Sequence, residues 1–159
     1  MSHEYLFPIA LPPHDAAEHV LRRAADALGE AITDADVAPV VHRGDLAVYA
    51  FEADAGGRAT STRALGFGAD AMLALVDVGQ SSSDRMRTVF ADVLRAVLAF
   101  AGVAGTHAAL LEELNDDSLI LRIDDGRLTL NELWPGWLVW PDVVSVVPEP
   151  RFAELRLPR

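Results

Sequence analysis

The segment from Leu119 to Leu130 constrains the fold more than any other part of the chain. Apolar and polar residues alternate on both sides of Asp125-Gly126, a dipeptide in which both residues tolerate the positive φ of a type I′ turn. The pattern therefore predicts a β-hairpin with a two-residue loop. The register that pairs charges on one face and hydrophobes on the other places Asp124 opposite Arg127, Ile123 opposite Leu128, and Leu121 opposite Leu130.

All three tryptophans of the chain follow this hairpin, as Trp134, Trp137 and Trp140. They recur every three residues through a segment with two prolines, so they cannot all lie on one face of a strand. Core packing is the commoner role of tryptophan, but this spacing leaves at least one ring exposed or half exposed. An exposed tryptophan rimmed by acidic residues is typical of a surface that binds a basic protein.

Two amphipathic helices are predicted. The first begins at an N-cap, Asp15, with Glu18 as its capping-box partner, and it ends at Gly29. Its apolar stripe consists of Ala17, Val20, Leu21, Ala24, Ala25 and Leu28. The second begins in the serine-rich cap Ser81 to Ser83 and ends near Gly102. Its apolar face carries Met86, Val89, Phe90, Val93, Leu94, Val97 and Ala101, whereas Arg87, Asp92 and Arg95 point away.

Strands are predicted for much of the remaining chain. Besides the hairpin, they are expected at residues 5–11, 46–53, 60–67, 72–78, 107–114 and 143–147. Residues 32–39 are predicted to form a loop and Gly56-Gly57 a turn, and a bulge or bend is expected at Gly66 and Gly68. The residues after 147 are expected to form an irregular tail.

The order strand, helix, strands, helix, strands predicts a single α+β domain over residues 1–159. We expect a two-layer sandwich, with an antiparallel sheet and two helices on one face. A ferredoxin-like core with an added C-terminal hairpin fits this order. Residues 107–114 suit a helix as well as a strand, and the strand is favoured because turn-forming residues flank them. A chain of 159 residues with 51% apolar residues can form one hydrophobic core.

The chain is strongly acidic. Its 24 acidic residues outnumber 13 basic ones, which are all arginine, and its formal charge is -11. This charge argues against nucleic acid or an anionic membrane as a partner and favours a basic protein. The longest uncharged run, residues 96–111, is short and polar for a membrane span. The N-terminal residues lack the pattern of a signal peptide, so we expect a soluble cytoplasmic protein.

The sequence contains no clear catalytic or metal-binding pattern. Cysteine is absent, which excludes disulfides, thiolate nucleophiles and zinc-thiolate sites. No two histidines have metal-ligand spacing, and neither a Gly-x-Ser-x-Gly motif nor a glycine-rich phosphate loop occurs. The pairs Asp116-Asp117 and Asp124-Asp125 lie in predicted turns, where aspartate forms local hydrogen bonds. We therefore expect no enzyme activity, no metal and no cofactor.

Several segments, taken in order, resemble one family of bacterial proteins. They are Glu4-Tyr5-Leu6, Leu65-Gly66-Phe67 before the strand at 72–78, the helix at 84–100, and the hairpin 119–130 with Leu133-Trp134-Pro135 after it. In these features the chain resembles the Sit-type immunity proteins, the protective partners of swarming-inhibition toxins delivered between neighbouring bacteria. The resemblance implies a small cytoplasmic protein that binds a cognate toxin and blocks it without catalysis.

The leading hypothesis is therefore a stoichiometric inhibitor whose acidic surface attracts a basic protein toxin. The residues predicted to contact the toxin are Trp134, Trp137, Trp140, Asp116, Asp117, Asp124 and Asp125. A first alternative is a small-molecule enzyme or binding domain that uses acids such as Asp77 or Glu113 in a pocket. A second alternative is a homo-oligomeric scaffold, such as a homodimer, in which the tryptophan segment mediates self-association.

Overall fold

The computed structural model describes residues 3–11, 17–36, 38–79, 82–112 and 118–157. These residues form an α+β fold with helices and one large sheet. Its elements, in chain order, are β1 (His3–Ala10), α1 (Ala17–Leu28), β2 (Ile32–Thr33), β3 (Val40–Arg43), β4 (Leu46–Glu52), α2 (Ala55–Leu65), β5 (Ala71–Asp77), α3 (Ser83–Leu98), β6 (His107–Glu112), β7 (Ser118–Asp124), β8 (Arg127–Asn131), α4 (Gly136–Val139), a 3-10 helix (Pro141–Val146) and β9 (Phe152–Ala153).

Within the described residues, nine strands form a single sheet. Their order is β2-β3-β4-β5-β1-β6-β7-β8-β9. Every neighbouring pair is antiparallel except β8 and β9, which run parallel. Because β1 lies between β5 and β6, residues that are distant in the sequence meet at one end of the sheet. His3 pairs with Asp77 at the end of β5, and Tyr5 pairs with Glu112 at the end of β6.

Helices α1 and α3 contact each other and pack against the sheet. The six residues of the predicted stripe of α1 are all buried, so this prediction is confirmed. In α3, Val89, Phe90, Val93, Leu94 and Val97 are buried as predicted, and Met86 is half-buried. Each fully buried side chain of this size contributes about 1.5 to 3 kcal/mol of hydrophobic free energy. The apolar periodicity of the two helices therefore accounts for much of the core.

An N-terminal cap is predicted for both helices, and the structure describes the cap of α3. Ser82 caps α3, because its hydroxyl accepts a hydrogen bond from the backbone N–H of Arg85 at 3.3 Å. The predicted cap of α1, Asp15, lies outside the described residues.

Asp92 corrects one prediction for α3. The periodicity places it away from the core, but the residue is buried. It accepts hydrogen bonds from Arg95, one turn further along the helix, at 2.7 Å and from Arg43 on β3 at 3.3 Å. A carboxylate can be buried when charged donors of this kind compensate for its lost hydration. Asp92 therefore links α3 to the sheet.

The hairpin prediction is confirmed in full. Asp125 and Gly126 have φ angles of 51° and 80°, as a type I′ turn requires. The strands β7 and β8 pair with Asp124 opposite Arg127, Ile123 opposite Leu128, and Leu121 opposite Leu130.

Two predictions are wrong here, the turn at Gly56-Gly57 and the strand at 60–67. The residues Ala55–Leu65 form helix α2 instead. The helix begins at Asp54, whose carboxylate accepts the N–H of Gly57 at 2.7 Å. It ends at Gly66, whose φ of 83° closes the helix instead of forming a bulge. Only two residues of α2 are buried, so the sequence offers no apolar stripe from which to recognise it.

Three other predictions differ from the structure, and a fourth is confirmed. The strand expected at 143–147 is wrong, because Pro141 begins a 3-10 helix there. The loop predicted at 32–39 contains the short strand β2, and the tail predicted as irregular contributes β9. The strand at 107–114 is confirmed as β6, although its last two predicted residues lie outside the described part of the chain.

Candidate functional site

Phe90 on α3 is the centre of an aromatic cluster at one end of the sheet. Its ring centroid lies 5.4 Å from that of Tyr5 on β1 and 4.9 Å from that of Trp134. The centroids of Trp137 and Trp140 are each 5.9 Å from it. Trp134 and Trp137 also meet edge to face at 4.9 Å, which is a favoured aromatic geometry. These contacts fix the tryptophan segment against α3.

The local sequence explains the path of this segment. Pro135 precedes α4, where its missing N–H leaves no unpaired donor. Gly136 lies directly against the ring of Trp134, so a Cβ at this position would collide with the indole. Trp137 donates its indole N–H to the backbone carbonyl of Asn131 at 2.8 Å. The ring positions are therefore held by hydrogen bonds as well as by packing.

A cleft of about 150 Å³ opens beside this aromatic cluster. Its lining includes His3 and Tyr5 from β1, Glu112 from β6, and the side chains of Trp134, Val139 and Trp140. The cleft therefore combines three aromatic rings and one imidazole with one carboxylate. We call this region, where β1 begins and β5 and β6 end, the cleft end of the sheet.

Glu112 is the charged residue of the cleft, and only 8% of it is exposed. Its carboxylate accepts the indole N–H of Trp134 at 2.8 Å. The other carboxylate oxygen lies 3.6 Å from Nε2 of His3, which is beyond hydrogen-bonding distance but close enough for attraction if the imidazole is protonated. Nε2 of His3 and Nε1 of Trp140 are buried and have no hydrogen-bond partner among the described residues.

The pKa of Tyr5 is affected by burial and by negative charges at this end of the sheet. Burial raises the pKa of its phenol well above the ordinary value of 10.0, and the negative charges of Glu112 and then Asp77 raise it further. The phenol therefore stays protonated and neutral.

Asp77 lies at the same end but is occupied by an ion pair. Arg85 contacts both of its carboxylate oxygens, at 2.6 and 3.1 Å. Asp77 also accepts the backbone N–H of Gly79 at 3.0 Å, and Arg85 bonds Asp45 at 3.0 Å. The hydrogen bond to Asp77 is the main cause of a raised pKa for the Arg85 guanidinium. This arrangement gives Asp77 a structural role.

The tryptophan segment presents exposed aliphatic side chains. Leu138 and Val139, both on α4, are 87% and 63% exposed. Trp134 and Trp137 are buried beneath them, and Trp140 is half-buried. The tryptophans therefore form the support of this surface, and the two aliphatic residues form its exposed part. Trp140 is the half-exposed ring that the spacing of the tryptophans predicts, since at least one was expected to be exposed or half exposed.

Two of the predicted acidic contacts, Asp124 and Asp125, lie far from the tryptophans. Asp124 pairs with Arg122 at 2.9 Å, and Asp125 accepts the N–H of Gly105 at 2.6 Å. Both lie at the hairpin turn, whereas Glu112 and Trp134 lie at the other end of β7. Seven residues of strand separate these ends by about 20 Å. The predicted Asp116 and Asp117 lie outside the described residues.

A larger groove of about 590 Å³ lies along α1, away from the aromatic cluster. Apolar residues such as Leu21 and Ile32 contribute to its lining, and the acids Glu18, Asp26 and Asp34 also line it. It is acidic like the cleft but contains no aromatic ring among its lining residues.

The structure also bears on the alternative functions. Among the described residues, no group of three or more His, Asp or Glu side chains is arranged to hold a metal ion. Asp77, one of the acids suggested for a small-molecule site, is engaged by Arg85, and Glu113 is not described. None of the helices in the described parts of the chain has the length and apolar character to cross a membrane.

Of the residues that line the cleft, Trp134 and Trp140 were predicted as contact residues, whereas His3, Tyr5 and Glu112 were not. Glu112 continues an alternation with Ala108 and Leu110 that places it on the core face, a weak signal that an acid is buried there. Nothing in the sequence near His3 or Tyr5 indicates that they would meet Glu112, because strand order brings them together.

Comparisons with protein-family models, with curated proteins and with solved structures find no match for this chain.

Proposed function

We propose that this chain is a non-catalytic immunity protein that binds a cognate bacterial toxin and neutralises it. The observation that carries the proposal is the pair Leu138 and Val139, exposed at 87% and 63% on a short helix. Exposed apolar patches are a feature of protein-interaction sites. The resemblance to Sit-type immunity proteins supports the same function.

The support beneath this surface favours tight binding. Trp134 and Trp137 are packed against Phe90, so α4 is held in place before a partner arrives. A surface that is already ordered loses less conformational entropy on binding. The tryptophans would thus contribute through preorganisation, and Leu138 and Val139 through direct contact.

Charge favours a basic toxin. The net charge of -11 would accelerate association with a positively charged partner and repel an acidic one. This proposal expects the association rate to fall as salt is added, since screening removes long-range attraction. It also places the protein in the cytoplasm, where an immunity protein would meet the incoming toxin.

The strand order supports a finer assignment of fold. We infer a two-layer sandwich with a ferredoxin-like core, in which β1, α1, β4, β5, α3 and β6 form two split β-α-β units with the strand order β4-β5-β1-β6. The β2-β3 hairpin, α2 and the strands from β7 to β9 would be additions to that core.

Co-expression with a candidate toxin encoded beside this chain tests the function. We expect the chain to rescue growth and to form a stable one-to-one complex with the purified toxin. Leu138→Asp should abolish rescue, because it places a charge in the apolar contact. Phe51→Asp is the matched control, since Phe51 is also an exposed hydrophobe but lies on β4. Rescue that survives Leu138→Asp would contradict the proposed surface.

The same exposed residues favour one further possibility, a homodimer through α4. The mass of the free protein, measured by light scattering, distinguishes the immunity function from self-association. A monomer whose mass is unchanged by Leu138→Asp is expected from the immunity function, whereas a dimer that this substitution dissociates would favour self-association.

A further inference from the structure

The cleft at the end of the sheet has an unusual combination of size and lining. Ligand pockets for whole metabolites or drug-sized molecules usually enclose roughly 300 to 1,000 Å³. This cleft has about 150 Å³, which suits one long side chain better than a whole metabolite. It opens beside Val139, so a side chain inserted there would belong to a molecule that also covers the exposed surface of α4.

We propose that this cleft binds the guanidinium group of one arginine side chain. The source of that arginine, a basic toxin, rests on the function proposed above, whereas the chemistry of the cleft can be tested without any toxin. The residues expected to contact the arginine are Glu112, Tyr5, Trp134 and Trp140.

Charge is the first argument for a cationic group. The carboxylate of Glu112 accepts the indole N–H of Trp134, a neutral donor that brings no positive charge to it. Protein atoms surround it almost completely, so its field is screened less than that of a surface carboxylate. The negative charges of Glu112 and Asp77 both act on the phenol of Tyr5, which lines the same cleft. The cleft therefore has a negative potential.

The aromatic lining is the second argument. The rings of Tyr5, Trp134 and Trp140 line the same cleft as the carboxylate. A cation is attracted to the face of an aromatic ring, most strongly to tryptophan. The phenol of Tyr5 stays neutral because its pKa is raised, so it can also donate a hydrogen bond.

Guanidinium fits this lining better than ammonium does. It is planar, is more weakly hydrated, and stacks on aromatic rings while it donates hydrogen bonds to a carboxylate. An ammonium group would lose more of its hydration in a cleft with mainly aromatic walls. We therefore expect an arginine analogue to bind more tightly than a lysine analogue of the same length.

The direct test is a titration with N-acetyl-arginine methylamide, followed by NMR of the three tryptophan indole N–H groups. We expect saturable shifts of the Trp134 and Trp140 resonances, assigned with Trp→Phe variants. N-acetyl-citrulline methylamide, which has nearly the same shape without the charge, should produce no saturable shift. The comparison of the two analogues uses the unmodified chain, and the Trp→Phe variants serve only to assign the resonances.

Glu112→Gln tests the carboxylate. It should raise the dissociation constant of the arginine analogue at least about tenfold, the effect of losing one charge-assisted hydrogen bond. Asp26→Asn removes an acid from the wider groove along α1 and is the matched control, for which no change is expected. Equal shifts with citrulline, an unchanged affinity in Glu112→Gln, or a loss of binding in Asp26→Asn would overturn the proposal.

Measurements with the toxin separate this inference from the proposed function. A toxin complex whose affinity is the same for Glu112→Gln and the unmodified chain would overturn the arginine site and leave the immunity function standing. Binding of the arginine analogue without any toxin complex would support the site and overturn the toxin as its source. A complex weakened by Glu112→Gln and unaffected by Asp26→Asn supports both.

Discussion

The two ends of the central strands contain similar residues in opposite environments. At the cleft end, where β1 begins, Asp77 and Glu112 are buried, with exposures of 3% and 8%. At the hairpin end, where β6 begins, Asp124 lies at the surface and its side chain is 52% exposed. Each end thus has carboxylates close to histidine or arginine, but Glu112 at the cleft end lies among the rings of Tyr5, Trp134 and Trp140, whereas Asp124 lies at the surface.

The difference shows that the setting of a carboxylate decides what it can do. Water and salt screen an exposed aspartate, so its ion pairs contribute little to stability or to recognition. A carboxylate among rings keeps a strong local field and can select a cation. Composition alone treats these acids as equivalent, although their expected effects differ severalfold.

Phe90→Ala should have the largest effect, because it removes the ring that four other aromatic residues contact. We expect a loss of about 3 to 5 kcal/mol in the free energy of unfolding, measured by urea denaturation. Phe67→Ala is the control at the hairpin end, where Phe67 belongs to a small separate cluster with Leu65 and Leu119. Its loss should be clearly smaller, and equal losses would remove the energetic difference between the ends.

Asp77→Ala should rank second. The substitution removes the acceptor of the Gly79 N–H and of both Arg85 contacts, so we expect a loss of roughly 2 to 3 kcal/mol in the free energy of unfolding. Asp45→Ala removes only the more exposed partner of the same arginine and should cost much less. The same urea titrations measure both variants. A harmless Asp77→Ala would mean that the cleft end does not depend on this buried acid.

Tyr5 makes the cleft end sensitive to high pH. Its pKa is raised in the folded state, so above pH 10 the unfolded chain loses the phenolic proton first and unfolding becomes more favourable. The contribution is fully present below pH 10 and is lost above it, by at most about 1.4 kcal/mol per pH unit. The free energy of unfolding, measured by urea denaturation from pH 9 to 12, should fall by no more than this slope.

Tyr5→Phe should remove most of that dependence, whereas Tyr49→Phe, on β4, should leave it in place. A slope that is the same in all three proteins would show that another group causes it.

Local patterns predicted the hairpin end well and the cleft end poorly. The register of β7 and β8 follows from the dipeptide Asp125-Gly126 and the alternation around it, all within a few residues. The buried stripe of α1 was predicted equally well, because its apolar residues recur with the helical period of 3.6. In contrast, α2 has almost no buried face. Its N-cap, Asp54, is followed by Gly56-Gly57, a dipeptide that predicts a turn.

The cleft could not be predicted from the sequence, because the residues that line it are distant in the chain. Tyr5 meets Glu112 only through the central position of β1, and Phe90 meets Trp134 only because the last segment folds back onto α3. The tryptophans were identified as important from their spacing. Their role as a buried support for Leu138 depends on a turn at Pro135-Gly136 whose direction no local pattern specifies.

Asp124→Asn should have the smallest effect and therefore sharpens the comparison most. Asp124 is paired with Arg122 at the surface, so we expect a change of no more than about 0.5 kcal/mol in the free energy of unfolding. Glu112→Gln makes the same carboxylate-to-amide change among the aromatic rings and should weaken binding of the arginine analogue at least about tenfold. Urea denaturation and the NMR titration measure the two effects. If Asp124→Asn weakens binding as much as Glu112→Gln does, the analogue responds to total charge, and the aromatic setting of Glu112 confers no selectivity.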